Sequence, residues 1–262
     1  MNTLMYYSPI LFSRIAHLNL TQYNDCKIDM EYLNSKERII VFCTHSIDVV
    51  ISGKLYYGYL NKLIPFLNNV SKPFILISAM EDTQFPSEID ATLINKIVKN
   101  KYFKHWFSIN KTIPNDDKFT SIPYGLNYWT LTKTPCFGEN IQTIIQQNSV
   151  LESITNNASH FSQRIPKIYS NFHFNCTDER HGGWRKKLLN IIPKNIIIYE
   201  KQILPRIESY KCISKFSFVV SPFGHGFDCI RTFEALCLGC IVIMKKSFLD
   251  IIYEDLPILL VD

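Results

Sequence analysis

What most restricts this chain is a recurring unit, a short and almost wholly apolar run followed by a stretch of helical period and then another such run. RIIVFCTH (38–45) and KPFILISAM (72–80) open the series, and KIYSNFHF (167–174), KNIIIYEK (194–201), KFSFVVSPF (215–223), IVIMKK (241–246) and LPILLVD (256–262) continue it. Strands without polar alternation belong to a parallel sheet covered on both faces, because only there are both sets of side chains buried. Between them GKLYYGYLNKLIPFLNN (53–69), SEIDATLINKIVKN (87–100), HGGWRKKLLNII (181–192), PRIESYKCIS (205–214) and FDCIRTFEALCLGC (227–240) read as amphipathic helices. Ser87 and Asp90 suit a capped start for the second of these. The series is interrupted once, by the polar, glutamine-rich TIIQQNSVLESITNNASHFSQR (143–164), read as helix and then loop. The reading is therefore an α/β fold of two domains, 1–160 and 161–262, each with a parallel sheet covered on both faces, and with a central cleft between them.

Composition removes several classes. Hydrophobic residues make up 47% and charged residues 19% of the 262, which is enough apolar surface for folded cores. The net charge of +5 is spread over dispersed lysines with no basic stripe, so nucleic acid is not an expected partner and a small phosphate-bearing molecule is. The amino terminus lacks a basic n-region, and Arg14 and His17 break its apolar stretch; no window is apolar enough for a transmembrane segment. A cytoplasmic location is expected. Of the eight cysteines most sit inside apolar runs, and the Cys237–Cys240 pair has no second ligand pair at zinc spacing, so no metal is expected.

Polar residues concentrate where one apolar run gives way to a helix, in SPFGHGFDCIRTFEALCLGCIVIMKK (221–246). Ligands of open parallel sheets bind at the carboxyl ends of strands, where loops enter helix amino termini. Gly224 and Gly226 allow close approach of the backbone, and Asp228 is placed as the N-cap of the following helix. At 100° per residue Cys229, Phe233, Leu236 and Cys237 share a sheet-facing side, leaving Arg231 and Glu234 together on the other. An arginine fork suits a diphosphate and a carboxylate one turn on suits a ribose diol. The same pair at i, i+3 also fits a plain surface ion pair.

These residues resemble the carboxyl-terminal signature of exostosin-like glycosyltransferases (GT47-like), in which a glycine-rich loop precedes an R-T-x-E-A-L helix and a G-C-I-P-I strand. Val242 stands where that strand usually has proline. HWFSIN (105–110), IPYGLNYW (122–129) and YSNFHF (169–174) are similar to the same group. The resemblance implies a GT-B fold of two Rossmann-like domains, with a short carboxyl-terminal one that holds a nucleotide-sugar donor, UDP-sugar foremost. The amino-terminal domain then holds a glycan or glycoconjugate acceptor, the reaction inverts, and no metal or other cofactor is obligatory. It places the donor on Ser221, Gly224, His225, Gly226, Asp228, Arg231, Thr232 and Glu234. Arg180 and Arg185, flanking HGGW, are expected to neutralise the departing diphosphate, and Lys245 and Lys246 are further candidates. His45 or Asp82, each at the end of an apolar run, is expected as the general base, with Asp48 behind them. Trp129 is the first choice for stacking on an acceptor sugar, with Trp106 and Tyr128 as others. A catalytically inactive nucleotide-sugar or glycan-binding module is the alternative.

Overall fold

The computed structural model describes residues 8, 10–20, 28–43, 49–51, 54–56, 59–79, 82–172 and 183–262. They divide into two compact units, one within Pro9–Tyr124 and the other made of Ser8 with Gly125–Asp262. The division thus falls ahead of residue 160, and the segment 125–160 goes with the later strands.

In the first unit α1 (Ile10–Ile15), β1 (Leu18–Leu20) and α2 (Met30–Asn34) lead to β2 (Ile39–Cys43), and β3 (Val49–Ile51) and β4 (Lys54–Tyr56) form a small antiparallel pair. Then follow α3 (Leu63–Asn69), β5 (Phe74–Ser78), α4 (Ala91–Val98), β6 (Phe103–Ser108) and β7 (Phe119–Ser121). The sheet runs β1-β2-β5-β6-β7, every pair parallel. Its apolar runs are buried on both faces, as that pairing demands. Ile39, Val41, Phe74, Leu76 and Trp106 share a core with Leu33, Leu63, Phe66, Leu93 and Ile97 from α2, α3 and α4. Phe42 and Ile77 form a second core that Phe12 and Ala16 cover. Asp90 caps α4 by accepting from the Thr92 and Leu93 N–H groups at 2.6 and 3.4 Å, as its sequence position predicts. The helix expected over 53–69 is instead β4 followed by a 3-10 turn at Tyr59–Lys62 and then α3. Leu and Tyr favour a strand, and Leu55 and Tyr56 pair with Val50 and Val49 of β3.

The second unit begins with α5 (Trp129–Lys133) and α6 (Ile144–Asn156), the latter started by a reciprocal capping box of Thr143 and Gln146. It continues through β8 (Ile165–Ser170), α7 (Trp184–Ile191), β9 (Ile197–Tyr199), α8 (Arg206–Ile213), β10 (Phe216–Val220), α9 (Ile230–Cys237), β11 (Ile241–Lys245) and β12 (Ile258–Val261). Its five parallel strands are ordered β12-β11-β10-β8-β9. The chain lays β8, steps outward to β9, and returns past β8 to place β10 on its other side. This reversal is the doubly wound arrangement, in which connections leave adjacent strands in opposite directions and open a crevice at the strands' carboxyl ends. Among the described residues no helix is long and apolar enough to cross a membrane.

Candidate functional site

A cavity of about 540 Å³ lies at that reversal, beyond the ends of β8 and β9 and beside α8 and α9. Its wall holds Asn171, which follows β8, the loop from Glu200 to Leu204 after β9, Arg206, Ser209 and Tyr210 of α8, and Cys229, Arg231 and Glu234 at α9. Phe137 completes it from the segment before α6.

The polar side chains are held in place by one another. Glu234 accepts a 2.7 Å hydrogen bond from the Tyr210 hydroxyl and stands 3.5 Å from Arg206, both through Oε1. Burial, reinforced by Glu234, pushes the Tyr210 hydroxyl well above its ordinary pKa, so it remains a donor. Burial works against the Arg206 charge, but the acidic groups around it, of which Glu234 is the ionised carboxylate, together outweigh it and raise the guanidinium pKa. Arg206 also donates to Gln147 Oε1 at 3.2 Å and to the Asn127 carbonyl at 3.1 Å. With Oε1 so occupied, Oε2 of Glu234 carries no hydrogen bond among the described residues, and the residue lines the cavity. Arg231 donates through Nε to Asn171 Oδ1 at 2.8 Å, and Asn171 in turn donates to Ser209 Oγ at 2.9 Å. The result is a fixed carboxylate and a fixed guanidinium on one wall, near the start of a helix whose free N–H groups favour an anion.

Arg231 and Glu234 thus share the cavity wall, while Phe233, Leu236 and Cys237 are buried on the other side of α9. Two expectations on this helix are corrected. Asp228 is not the N-cap; Cys229 occupies that position with extended φ and ψ of −144° and 137°. Asp228 is drawn inward, because its Oδ1 accepts from the Tyr253 hydroxyl and from the Cys229 N–H, each at 2.8 Å. Cys229 does not join the sheet-facing side, since it precedes the helix; it lines the cavity and receives a 3.6 Å contact from Arg231 Nη1.

The remaining donor residues are more scattered. Ser221 and Thr232 are buried and bonded to each other at 3.0 Å, tying the end of β10 to α9. Gly224 and Gly226 join through a 3.1 Å backbone bond, beside an exposed His225, and none of the three lines the cavity. Arg185 reaches this loop instead, donating through Nε to the Phe223 carbonyl at 3.1 Å. A Cβ at Gly224 would stand 3.1 Å from its Nη2, so the bare backbone there admits the arginine. Lys245 lies 3.8 Å over the Trp184 ring and Lys246 pairs with Asp262 at 2.8 Å.

In the first unit Asp82 is exposed. His45, Asp48 and, in the second unit, Arg180 lie outside the described residues. Trp106 is not available for stacking on a sugar: it is fully buried, and its indole donates to Ser78 Oγ at 2.9 Å. Tyr128 is buried likewise, its hydroxyl bonded to Asn148. Trp129 is half-buried under Lys133, 4.7 Å from its ring. Among the described residues no group of three or more histidine, cysteine or acidic side chains is placed to hold a metal. Burial pushes the Cys237 and Cys240 thiols up to about 12 and about 11.

Sequence reading missed Asn171, Arg206, Ser209, Tyr210 and Phe137. Arg206 and Tyr210 looked like ordinary helix residues of PRIESYKCIS, and only the strand order brings that helix against α9. No family model matches the chain, and no curated protein matches it.

Proposed function

We propose that the second unit binds a nucleotide diphosphate sugar, UDP-sugar foremost, and that the protein transfers the sugar to a hydroxyl of a glycan acceptor in a GT-B-like manner. One observation carries this reading: at the reversal of a doubly wound sheet, a nucleotide-sized cavity presents a carboxylate with one open oxygen beside an anchored arginine. Glu234 Oε2 accepts the paired hydroxyls of the ribose. Arg231 and the amino end of α9 take the diphosphate, with Arg185 available at the glycine loop.

In the reaction the acceptor oxygen attacks the anomeric carbon while the bond from that carbon to the diphosphate oxygen breaks. The bonding pair leaves with the diphosphate, where Arg231 and the α9 amino end stabilise the added charge without an obligatory metal. The acceptor's proton passes to a general base, for which His45 and Asp82 are the candidates, and attack opposite the leaving group inverts the centre.

Thermal shift with UDP-, GDP-, ADP- and CMP-sugars tests the reading. One donor at 100 times its Kd stabilises the protein by about 2.7 kcal/mol, a shift of several degrees. Glu234→Gln and Arg231→Met are expected to lose most of that response. Silence of the wild type towards every nucleotide overturns the proposal.

A further inference from the structure

We infer that Phe137 is a stacking platform for the planar base of the ligand in this cavity, a subsite that rests on the nucleotide reading above. Phe137 is 45% exposed although it is large and apolar, and it lines the cavity. Its backing is rigid. The Arg206 guanidinium lies 4.5 Å from the ring centroid, and the Arg206 side chain is only 9% exposed, its guanidinium fixed by Gln147, Asn127 and Glu234. Arg206 therefore touches both the platform and the carboxylate assigned to the ribose, which places base and sugar on one continuous wall.

The backbone supports the same conclusion. Cys136 and Glu139 exchange both backbone hydrogen bonds, at 2.9 and 3.2 Å, across a turn whose two central residues are Phe137 and Gly138. Both have positive φ, 55° and 74°. Asn-Gly and Gly-Gly are the usual occupants of such a turn, and a phenylalanine at its first position is strained. Gly138 presses the turn against Pro205, one residue before Arg206; a Cβ there would stand 2.8 Å from Pro205 Cβ. A strained, exposed aromatic over a buried cation is poorly explained by folding, whereas aromatic rings that stack bases are sequence-tolerant and contribute substantially to nucleotide binding.

Phe137→Asn separates the two roles, since it supplies the residue the turn prefers and removes the ring. Its Tm is expected to stay within about 3 °C of the wild type. Calorimetric affinity for whichever of UDP, GDP and ADP binds the wild type best is expected to fall on the order of tenfold. Pyrophosphate, which has no base, is expected to bind both proteins alike, and Phe137→Trp to retain nucleotide affinity. Should Phe137→Asn fold poorly, Phe137→Leu provides the same comparison. Nucleotide binding by the variant within twofold of wild type overturns the platform and leaves the nucleotide reading intact, as does an equal loss for pyrophosphate. Failure of the wild type to bind any nucleotide overturns both.

Discussion

Replacing Arg206 by methionine tests whether the cavity wall is one connected network. Methionine keeps much of the stem that packs on Phe137 but removes a charged donor from Gln147 Oε1, the Asn127 carbonyl and Glu234 at 3.2, 3.1 and 3.5 Å. Breaking a buried ion pair from one side costs about 3–5 kcal/mol, largely because the remaining charge loses its partner. Here the lower end applies, since Glu234 keeps the Tyr210 donor and its side chain is 15% exposed. About 3 kcal/mol in a unit of this size lowers Tm by roughly 10 °C, measurable by calorimetry. The double variant Arg206→Met, Glu234→Gln is expected to recover about 1–2 kcal/mol relative to additivity, because no orphaned charge is left. A fall under about 3 °C, or strict additivity, refutes the network.

Two smaller effects accompany it. Gly138→Ala is expected to lower Tm more than twice as far as Gly183→Ala: both sites have positive φ, 74° and 63°, but at Gly138 the new Cβ meets Pro205, whereas at Gly183 it meets nothing within 4 Å among the described residues. Equal shifts would show that the turn yields freely. Asp90 supplies a pH test, because the Thr92 N–H, first among its contacts, holds the carboxyl below its ordinary value of 3.8. A depressed folded pKa stabilises above the unfolded value and loses that contribution as pH falls through the folded one. The Tm gap between wild type and Asp90→Ala should therefore be open at about pH 6 and narrow by about pH 2; a gap independent of pH would rule out the charged cap.

The strands were the most legible part of the chain. IIVFC, FILIS, FSFVV and IVIMK each fall inside an apolar run, because burial on both faces leaves no choice of side. β1 was not anticipated: Leu-Asn-Leu is only three residues long and gains its place by pairing with β2. On α9 the period correctly put Arg231 beside Glu234, yet it misplaced Asp228, whose short side chain is claimed by Tyr253 from 25 positions further on. The same limit hid Arg206, Tyr210 and Phe137. Local pattern says which face of a helix is polar, but not which other helix the reversal of strand order lays against it.

That Arg206 grips Asn127 and Gln147 bears on how such a protein can be rearranged over evolutionary time. A crossover between Tyr124 and Gly125 would exchange the later unit with these partners still attached. A crossover near residue 160, where the composition changes, would instead pass on an arginine stripped of both and a glutamate whose counter-ion has lost its anchorage.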